Sequence, residues 1–265
     1  MNNQPIGVLD SGVGGLSIWK EIVRELPLES TIYAADSRNC PYGAKSSQAI
    51  YHLAKRLVQF LVQQQVKLIV LACNTMTVSC LDKLREDFPQ LPLIGTVPVV
   101  KTAAEKTKGG KIGILSTTKT AESKYQKQLL QTYAADCVVI NIGTNKLVPF
   151  VEKGEVRGQA LEKVLRKELE VFKKEDIDVL ALGCSHFPFL KDTMQQILGN
   201  DVQILDSGEA IARQVKRVLE KIDGLSNSKS TSQRLYTTGD EKQFEKTAQT
   251  LMGYNMKWKI GHKVL

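Results

Sequence analysis

The chain contains the stretch Lys67-Leu-Ile-Val-Leu-Ala-Cys-Asn-Thr75, a short apolar run that ends in a cysteine followed by small polar residues. Such a run is typical of a buried parallel strand, and Cys73 is expected just past its carboxyl end, where ligands bind in open α/β sheets. A second stretch, Asp178-Val-Leu-Ala-Leu-Gly-Cys-Ser-His186, repeats the pattern and ends in Cys184. The two stretches predict one pocket with two facing thiols.

An internal repeat divides the chain into two similar α/β units. The apolar residues of Ile6-Gly-Val-Leu-Asp-Ser11 and Ile112-Gly-Ile-Leu-Ser-Thr117 fall at identical offsets, and a cysteine-ended strand follows each copy at a similar separation. We therefore expect pseudo-two-fold packing with a ligand between the units. The predicted first domain comprises residues 1–97 and 207–265, because the C-terminal segment should return to it, and the second comprises residues 98–206.

Composition and charge narrow the class of protein. The chain has 265 residues and 42% hydrophobic residues, yet no apolar run near the ~18–20 residues that span a bilayer. It begins without the pattern of a signal peptide, which predicts a soluble cytoplasmic protein. The net charge is +8, and the basic residues are interleaved with acidic ones along the chain. A small dicarboxylate is therefore favoured over nucleic acid as a partner. The five cysteines form no CxxC pair, which argues against a disulfide framework or a thiol metal site.

Two loops at predicted strand ends are candidates for ligand binding. Asp10 ends the first strand as a functional side chain or as a simple helix cap, and the glycine-rich turn Ser11-Gly-Val-Gly-Gly-Leu16 follows it. Backbone N–H groups at such a turn bind anions, and a carboxylate is the expected one. A nucleotide site is less favoured because Ser17 replaces the third glycine of GxGxxG. Pro41-Tyr42-Gly43 presents a phenol or backbone amides, or is a simple turn, while Cys40 is expected to be a bystander.

Two facing thiols suit a two-base reaction. A helix that starts after a cysteine lowers the pKa of the thiol. One thiolate then takes a proton from carbon while the opposite thiol returns one, since two negative charges in a small pocket oppose each other. Donors for the carbanion are expected from Asn74, Thr75, Ser185 and His186. Inversion at a carbon α to a carboxylate is the expected product.

Other interpretations remain open at this stage. In one interpretation, either cysteine is a buried residue without a chemical role. In another, the two cysteines form a peroxidatic pair. A Cys-His hydrolase is disfavoured because His186 follows Cys184 by two residues, a spacing at which side chains need not meet. A non-catalytic two-lobed protein that binds an amino acid in the same cleft is the alternative from a different class.

Five motifs in order resemble one family. They are Asp10-Ser-Gly-Val-Gly-Gly15, Pro41-Tyr-Gly43, Ala72-Cys-Asn-Thr75, Gly183-Cys-Ser-His186 and Asp206-Ser-Gly208. Together they resemble the bacterial glutamate racemases of the aspartate/glutamate racemase superfamily, and the similarity runs from residue 6 to residue 240. The resemblance implies two flavodoxin-like α/β domains with the active site between them, usually as a homodimer. It also implies interconversion of L- and D-glutamate without pyridoxal phosphate or metal, for peptidoglycan synthesis.

The resemblance also assigns roles. Cys73 is expected to act on the D-enantiomer and Cys184 on the L-enantiomer, with Asp10 and His186 tuning the thiols and Glu152 as a further supporting acid. The expected substrate-binding residues are Asp10, Ser11, Pro41, Tyr42, Gly43, Cys73, Asn74, Thr75, Thr117, Thr118, Cys184, Ser185 and His186. The family commonly has Thr and Tyr where Ser185 and Phe187 stand. A racemase for aspartate or another acidic amino acid stays open, because pocket depth sets the chain length of the substrate.

Overall fold

The computed structural model describes residues 1–97, 99–228, 230–253 and 258–262, and its strands form two parallel sheets. The first sheet contains β1 (Ile6–Asp10), β2 (Thr31–Ala35), β3 (Leu68–Leu71), β4 (Leu93–Gly95), β9 (Gln233–Thr237) and β10 (Lys259–His262). The second contains β5 (Lys111–Ser116), β6 (Val138–Gly143), β7 (Val179–Gly183) and β8 (Gln203–Leu205). The spatial orders are β10-β9-β2-β1-β3-β4 and β6-β5-β7-β8.

Helices connect successive strands and cover both faces of each sheet, as parallel pairing requires. They are α1 (Leu16–Glu25), α2 (Ser47–Gln63), α3 (Asn74–Asp87), α4 (Val100–Lys106), α5 (Thr118–Ala121), α6 (Lys124–Tyr133), α7 (Val148–Glu152), α8 (Gln159–Lys174), α9 (Lys191–Leu198), α10 (Gly208–Lys221) and α11 (Glu241–Met252). Short 3₁₀ helices occupy Ser37–Asn39 and Phe187–Leu190. In the described part of the chain, no helix combines the length and apolarity needed to cross a membrane.

The repeat predicted from the two related strands is confirmed. β1 lies between β2 and β3, and β5 lies between β6 and β7 in the same order. β9 and β10 of the C-terminal segment extend the first sheet beside β2. The strand β10 was not predicted in this tail. Pro98, where the second domain was expected to begin, lies outside the described residues.

The ends of the elements around Cys73 differ from the prediction. β3 ends at Leu71, where its pairing with β1 ends at Leu9, although the apolar run suggested a strand that reaches the cysteine. α3 begins at Asn74 with Cys73 as its N-cap residue. Cys73 therefore lies on the turn between strand and helix. In the second unit Cys184 directly follows β7, as predicted.

One hydrophobic core joins the two units. Val8 and Val70 point from the first sheet into the cluster that also holds Leu115 and Leu182 of the second sheet. Their neighbour Leu9 points to the opposite face, into a separate cluster under α2 and α3. This two-residue alternation buries both faces of the strands. The shared core fixes the carboxyl ends of the two sheets toward each other.

A buried ion pair ties together the opposite, amino-terminal edge of the first sheet. Lys67 Nζ lies 2.6 Å from Glu29 Oε2, with the two side chains 1% and 3% exposed. The same ammonium group donates hydrogen bonds to the carbonyls of Asn2 and Gly224. Lys67 thus joins the N-terminal segment, the connection between α1 and β2, and the end of α10.

Replacement of Lys67 by methionine is expected to lower the free energy of unfolding by about 3–5 kcal/mol, because it leaves the buried Glu29 carboxylate without a cation. The midpoint of urea unfolding measures the change. Lys101→Met serves as the control, since Lys101 belongs to an exposed pair with Glu105 and should leave the midpoint unchanged. A Lys67→Met midpoint equal to that of the wild type contradicts the prediction.

Candidate active site

The two cysteines line one small cavity between the sheets. Cys73 and Cys184 are each 5% exposed, and the cavity is narrow, with about 10 Å³ of room for the centres of water molecules. Its lining residues are Ser11, Pro41, Tyr42, Gly43, Cys73, Asn74, Thr75, Thr117, Val148, Cys184, Ser185 and His186. A larger, more open groove between α1, α4 and α10 contains neither cysteine. The thiols therefore identify the smaller cavity as the candidate site.

Cys73 lies in a negative environment. Its Sγ donates to Ser11 Oγ at 3.8 Å. Burial, and then the charge of Asp10, raise the pKa of the Cys73 thiol well above its ordinary value. The expectation that the helix dipole would lower this pKa is wrong, because desolvation of the buried sulfur outweighs the start of α3.

Asp10 is held by both units. Its carboxylate accepts hydrogen bonds from the Gly12 N–H and from Ser185 Oγ, each at 3.0 Å. Burial raises the pKa of Asp10, and the charge of His186 opposes that rise. Asp10 does not line the cavity, so the structure puts it behind Cys73 and beside Ser185.

Cys184 contacts a histidine. Its Sγ lies 3.8 Å from Nδ1 of His186, so the sequence argument that this spacing would keep the two side chains apart is wrong. The chain turns at once into the 3₁₀ helix that begins at Phe187, and the Phe187 N–H donates to the Cys184 carbonyl at 3.1 Å. This tight turn brings the imidazole back to the sulfur.

The imidazole is paired with an acid on its other side. Nε2 of His186 lies 2.5 Å from Oε1 of Glu152, and the Val13 N–H donates to the same oxygen at 2.9 Å. Burial opposes both charges, but hydrogen bonds of the imidazole with Cys184, Cys40 and Glu152 raise the pKa of His186 well above its ordinary value. The same pairing lowers the pKa of Glu152. The pair is therefore an imidazolium and a carboxylate at neutral pH.

The glycine-rich turn approaches this pair too closely for any side chain. A Cβ on Gly12 would overlap the Glu152 carboxylate, and one on Gly14 would overlap the His186 ring. The turn was predicted to bind the carboxylate of a ligand. Instead, the Val13 N–H binds Glu152 and the Gly12 N–H binds Asp10. These two amides serve carboxylates of the protein itself.

Hydroxyl groups from both units meet at the cavity. Thr75 Oγ1 lies 2.9 Å from Thr117 Oγ1, which joins the start of α3 to the loop after β5. The Tyr42 phenol donates to Asp36 Oδ2 at 2.5 Å, so it faces Asp36, and burial and then that charge raise its pKa. That contact does not support the prediction that the phenol binds a ligand.

Two further predicted residues lie outside the cavity lining, and one lining residue was not predicted from the sequence. Thr118 begins α5, and its N–H donates to Asn145 Oδ1 at 3.4 Å, so it is not part of the cavity lining. Glu152 lies outside the lining as well and contacts His186. Val148 does line the cavity and was not predicted. Its signal was its place soon after β6, at the start of α7, at the same edge of the second sheet as Cys184.

Comparisons with known proteins identify the family of this chain. The family model for Asp/Glu/hydantoin racemases matches residues 6–215. A glutamate racemase from Pseudomonas paraeruginosa is 38% identical over 249 residues, which cover 94% of each chain.

Solved structures agree in fold over nearly the whole chain. A glutamate racemase isoform from Bacillus anthracis has a TM-score of 0.91 at 34% identity, covering 99% of this chain and 98% of its own. The glutamate racemase from Francisella tularensis in complex with D-glutamate has a TM-score of 0.86 at 30% identity, with the same coverage. The chain therefore belongs to the Asp/Glu/hydantoin racemase family and, within it, to the glutamate racemases.

Proposed function

We propose that this protein interconverts L- and D-glutamate by acid–base chemistry at two thiols and so supplies D-glutamate for peptidoglycan synthesis. The observation that carries the proposal is that Cys73 and Cys184 line the same cavity, one from each unit. Two opposed thiols allow a proton to leave one face of a carbon while another arrives on the opposite face. The substrate follows from the glutamate racemases to which the chain is similar and from the D-glutamate bound in one of them.

In the L to D direction Cys184 is the base. The His186 imidazolium beside its sulfur stabilises the negative charge of the thiolate. The thiolate takes the α-proton, and the electron pair of the C–H bond passes to the α-carbon and into the substrate carboxylate. Cys73, kept protonated by burial and by Asp10, then gives its proton to the opposite face. The roles exchange in the reverse direction.

Asp10, His186 and Glu152 act through the thiols as positioning residues. Asp10 puts a negative charge near Cys73, while His186 puts a positive charge near Cys184, and this asymmetry assigns acid and base before the substrate binds. Glu152 orients the imidazole through its 2.5 Å contact.

The substrate is bound by groups of both units. Ser11, Asn74, Thr75, Thr117 and Ser185 supply hydroxyl and amide groups, and the loop residues Pro41, Tyr42 and Gly43 close one side of the cavity. A role for Thr118 stays a prediction from the resemblance.

The domain limits, assembly and location form part of the same proposal. Sheet membership supports one domain of residues 1–97 with 207–265 and another of residues 98–206. The family resemblance supports a homodimer, which analytical ultracentrifugation can test. All five cysteines are free, which suits the reducing cytoplasm.

Incubation with L-glutamate in deuterated water is expected to yield D-glutamate that carries deuterium at Cα. The remaining L-glutamate should stay protonated early in the reaction, because Cys184 removes one hydrogen and Cys73 delivers another. Optical rotation follows the racemisation, and proton NMR follows the label. Absence of exchange with both L-glutamate and L-aspartate contradicts the enzyme proposal, and exchange with L-aspartate alone contradicts the assigned substrate.

Replacement of Cys73 or Cys184 by serine is expected to lower kcat by about 10²–10⁴-fold in either direction, the usual contribution of a positioned acid or base. Steady-state rates with each enantiomer measure the loss. Cys137→Ser is the matched control, because Cys137 does not line the cavity and its replacement should leave kcat unchanged. Racemisation at the wild-type rate by either single variant refutes the two-thiol assignment.

Glu152→Gln is expected to shift the alkaline limb of the kcat/KM profile to lower pH. Glutamine keeps the shape but removes the charge that raises the pKa of His186, so the imidazolium is lost at lower pH. Both directions should shift equally, since the equilibrium constant of a racemisation is one. Glu155→Gln, at an exposed position three residues away, should leave the profile unchanged. An unshifted alkaline limb in Glu152→Gln rules out this role of Glu152.

A further inference from the structure

Three side chains with metal-binding atoms converge beside the cavity. One sulfur, one carboxylate oxygen and one ring nitrogen, from Cys40, Glu152 and His186, all lie within 4.8 Å of one another. Cys40 lies in the loop after β2, whereas Glu152 ends α7 and His186 follows β7. The first unit therefore contributes one of these groups and the second unit contributes two.

We propose that Cys40, Glu152 and His186 form an inhibitory Zn²⁺ site that bridges the two units. Thiolate, imidazole and carboxylate are the donors that zinc binds in proteins, and three protein ligands leave the fourth tetrahedral position for water. The donor set is softer than magnesium or calcium prefers. The cation is a ligand that regulates the proposed reaction and takes no part in it.

The surroundings arrange these donors in advance. The Val13 N–H donates to one oxygen of Glu152 and fixes its position. Because Gly12 and Gly14 have no side chains, the carboxylate and the imidazole pack against the turn. The 2.5 Å contact between Glu152 and His186 holds a proton. Zinc replaces that proton, and the two atoms move apart to about 3.3 Å, as tetrahedral bonds of about 2.0–2.1 Å require.

The site is open to the solvent on one side. Cys40 and Glu152 are half-buried, while His186 is buried, so the cation enters from the side of the first two. Zinc binding releases the proton of the Cys40 thiol as well as the proton shared by Glu152 and His186.

Occupancy has two consequences for the cavity. It joins the loop that carries Cys40 to the second unit, so the narrow cavity between the units stays closed to substrate exchange. It also moves the positive charge from the imidazole ring, which lies beside Cys184, to the cation on the far side of that ring. The inhibition rests on the proposed racemase function, whereas metal binding itself does not.

Cobalt absorption tests the site without any racemase activity. The Cys73→Ser/Cys184→Ser double variant lacks the two thiols that line the cavity and keeps Cys40. With one equivalent of Co²⁺ we expect the near-ultraviolet charge-transfer band of a thiolate bound to cobalt. Further replacement of Cys40 by serine or alanine should abolish the band, and replacement of Cys137 by serine should retain it. A double variant without the band, or a band that persists in both Cys40 variants, overturns the site.

Zinc titration of the wild-type protein and of single variants that keep Cys73 and Cys184 tests the inhibition. Cys40→Ser and Cys40→Ala should each raise the zinc concentration for half-inhibition by at least about tenfold, since even outer contacts of a metal site contribute 10–100-fold to affinity. Cys137→Ser should leave it unchanged. Equal zinc sensitivity of the Cys40 variants and the wild type overturns the inhibitory role and assigns inhibition to Cys73 and Cys184. Lack of racemisation without zinc contradicts the proposed function instead, and the cobalt result is unaffected.

Discussion

The contact between the Glu152 carboxylate and the glycine-rich turn governs the rest of the site. One oxygen accepts the Val13 N–H and faces the His186 imidazole, so the first unit binds directly to an ion pair of the second unit. Such a pair is stable only when its remaining hydrogen bonds are satisfied. Gly12 and Gly14 make this possible because a Cβ at either position would overlap the carboxylate or the imidazole.

This arrangement gives the two thiols opposite electrostatic surroundings. Asp10 lies near Cys73, and its charge adds to burial in raising the pKa of that thiol. The His186 imidazolium lies beside Cys184. Ser185 connects the two sides, since its hydroxyl donates to Asp10 and lies 3.4 Å from the imidazole. A nearly symmetric fold thus supports a reaction whose acid and base differ at the start.

Much of the fold was accessible from the sequence because the informative patterns are local. Apolar runs indicated the buried strands, and the repeated offsets indicated equivalent strands in two sheets. The strand ends were less accurate, as at β3, since pairing with β1 decides where the ladder stops. The pKa of Cys73 was misjudged because a helix start is visible in a sequence, whereas the burial that opposes it depends on both units.

The sequence by itself determined two α/β units, each with a cysteine at the carboxyl end of a strand, because periodicity and repetition involve neighbouring residues. Only the tertiary structure decided what surrounds those cysteines. Val13 and Glu152 are 139 residues apart, and Ser185 and Asp10 are 175 apart, so no local pattern links them. The same packing brings Cys40, expected to be a bystander, to Glu152 and His186. Side chains from distant segments meet only where the shared core fixes the two sheets against each other.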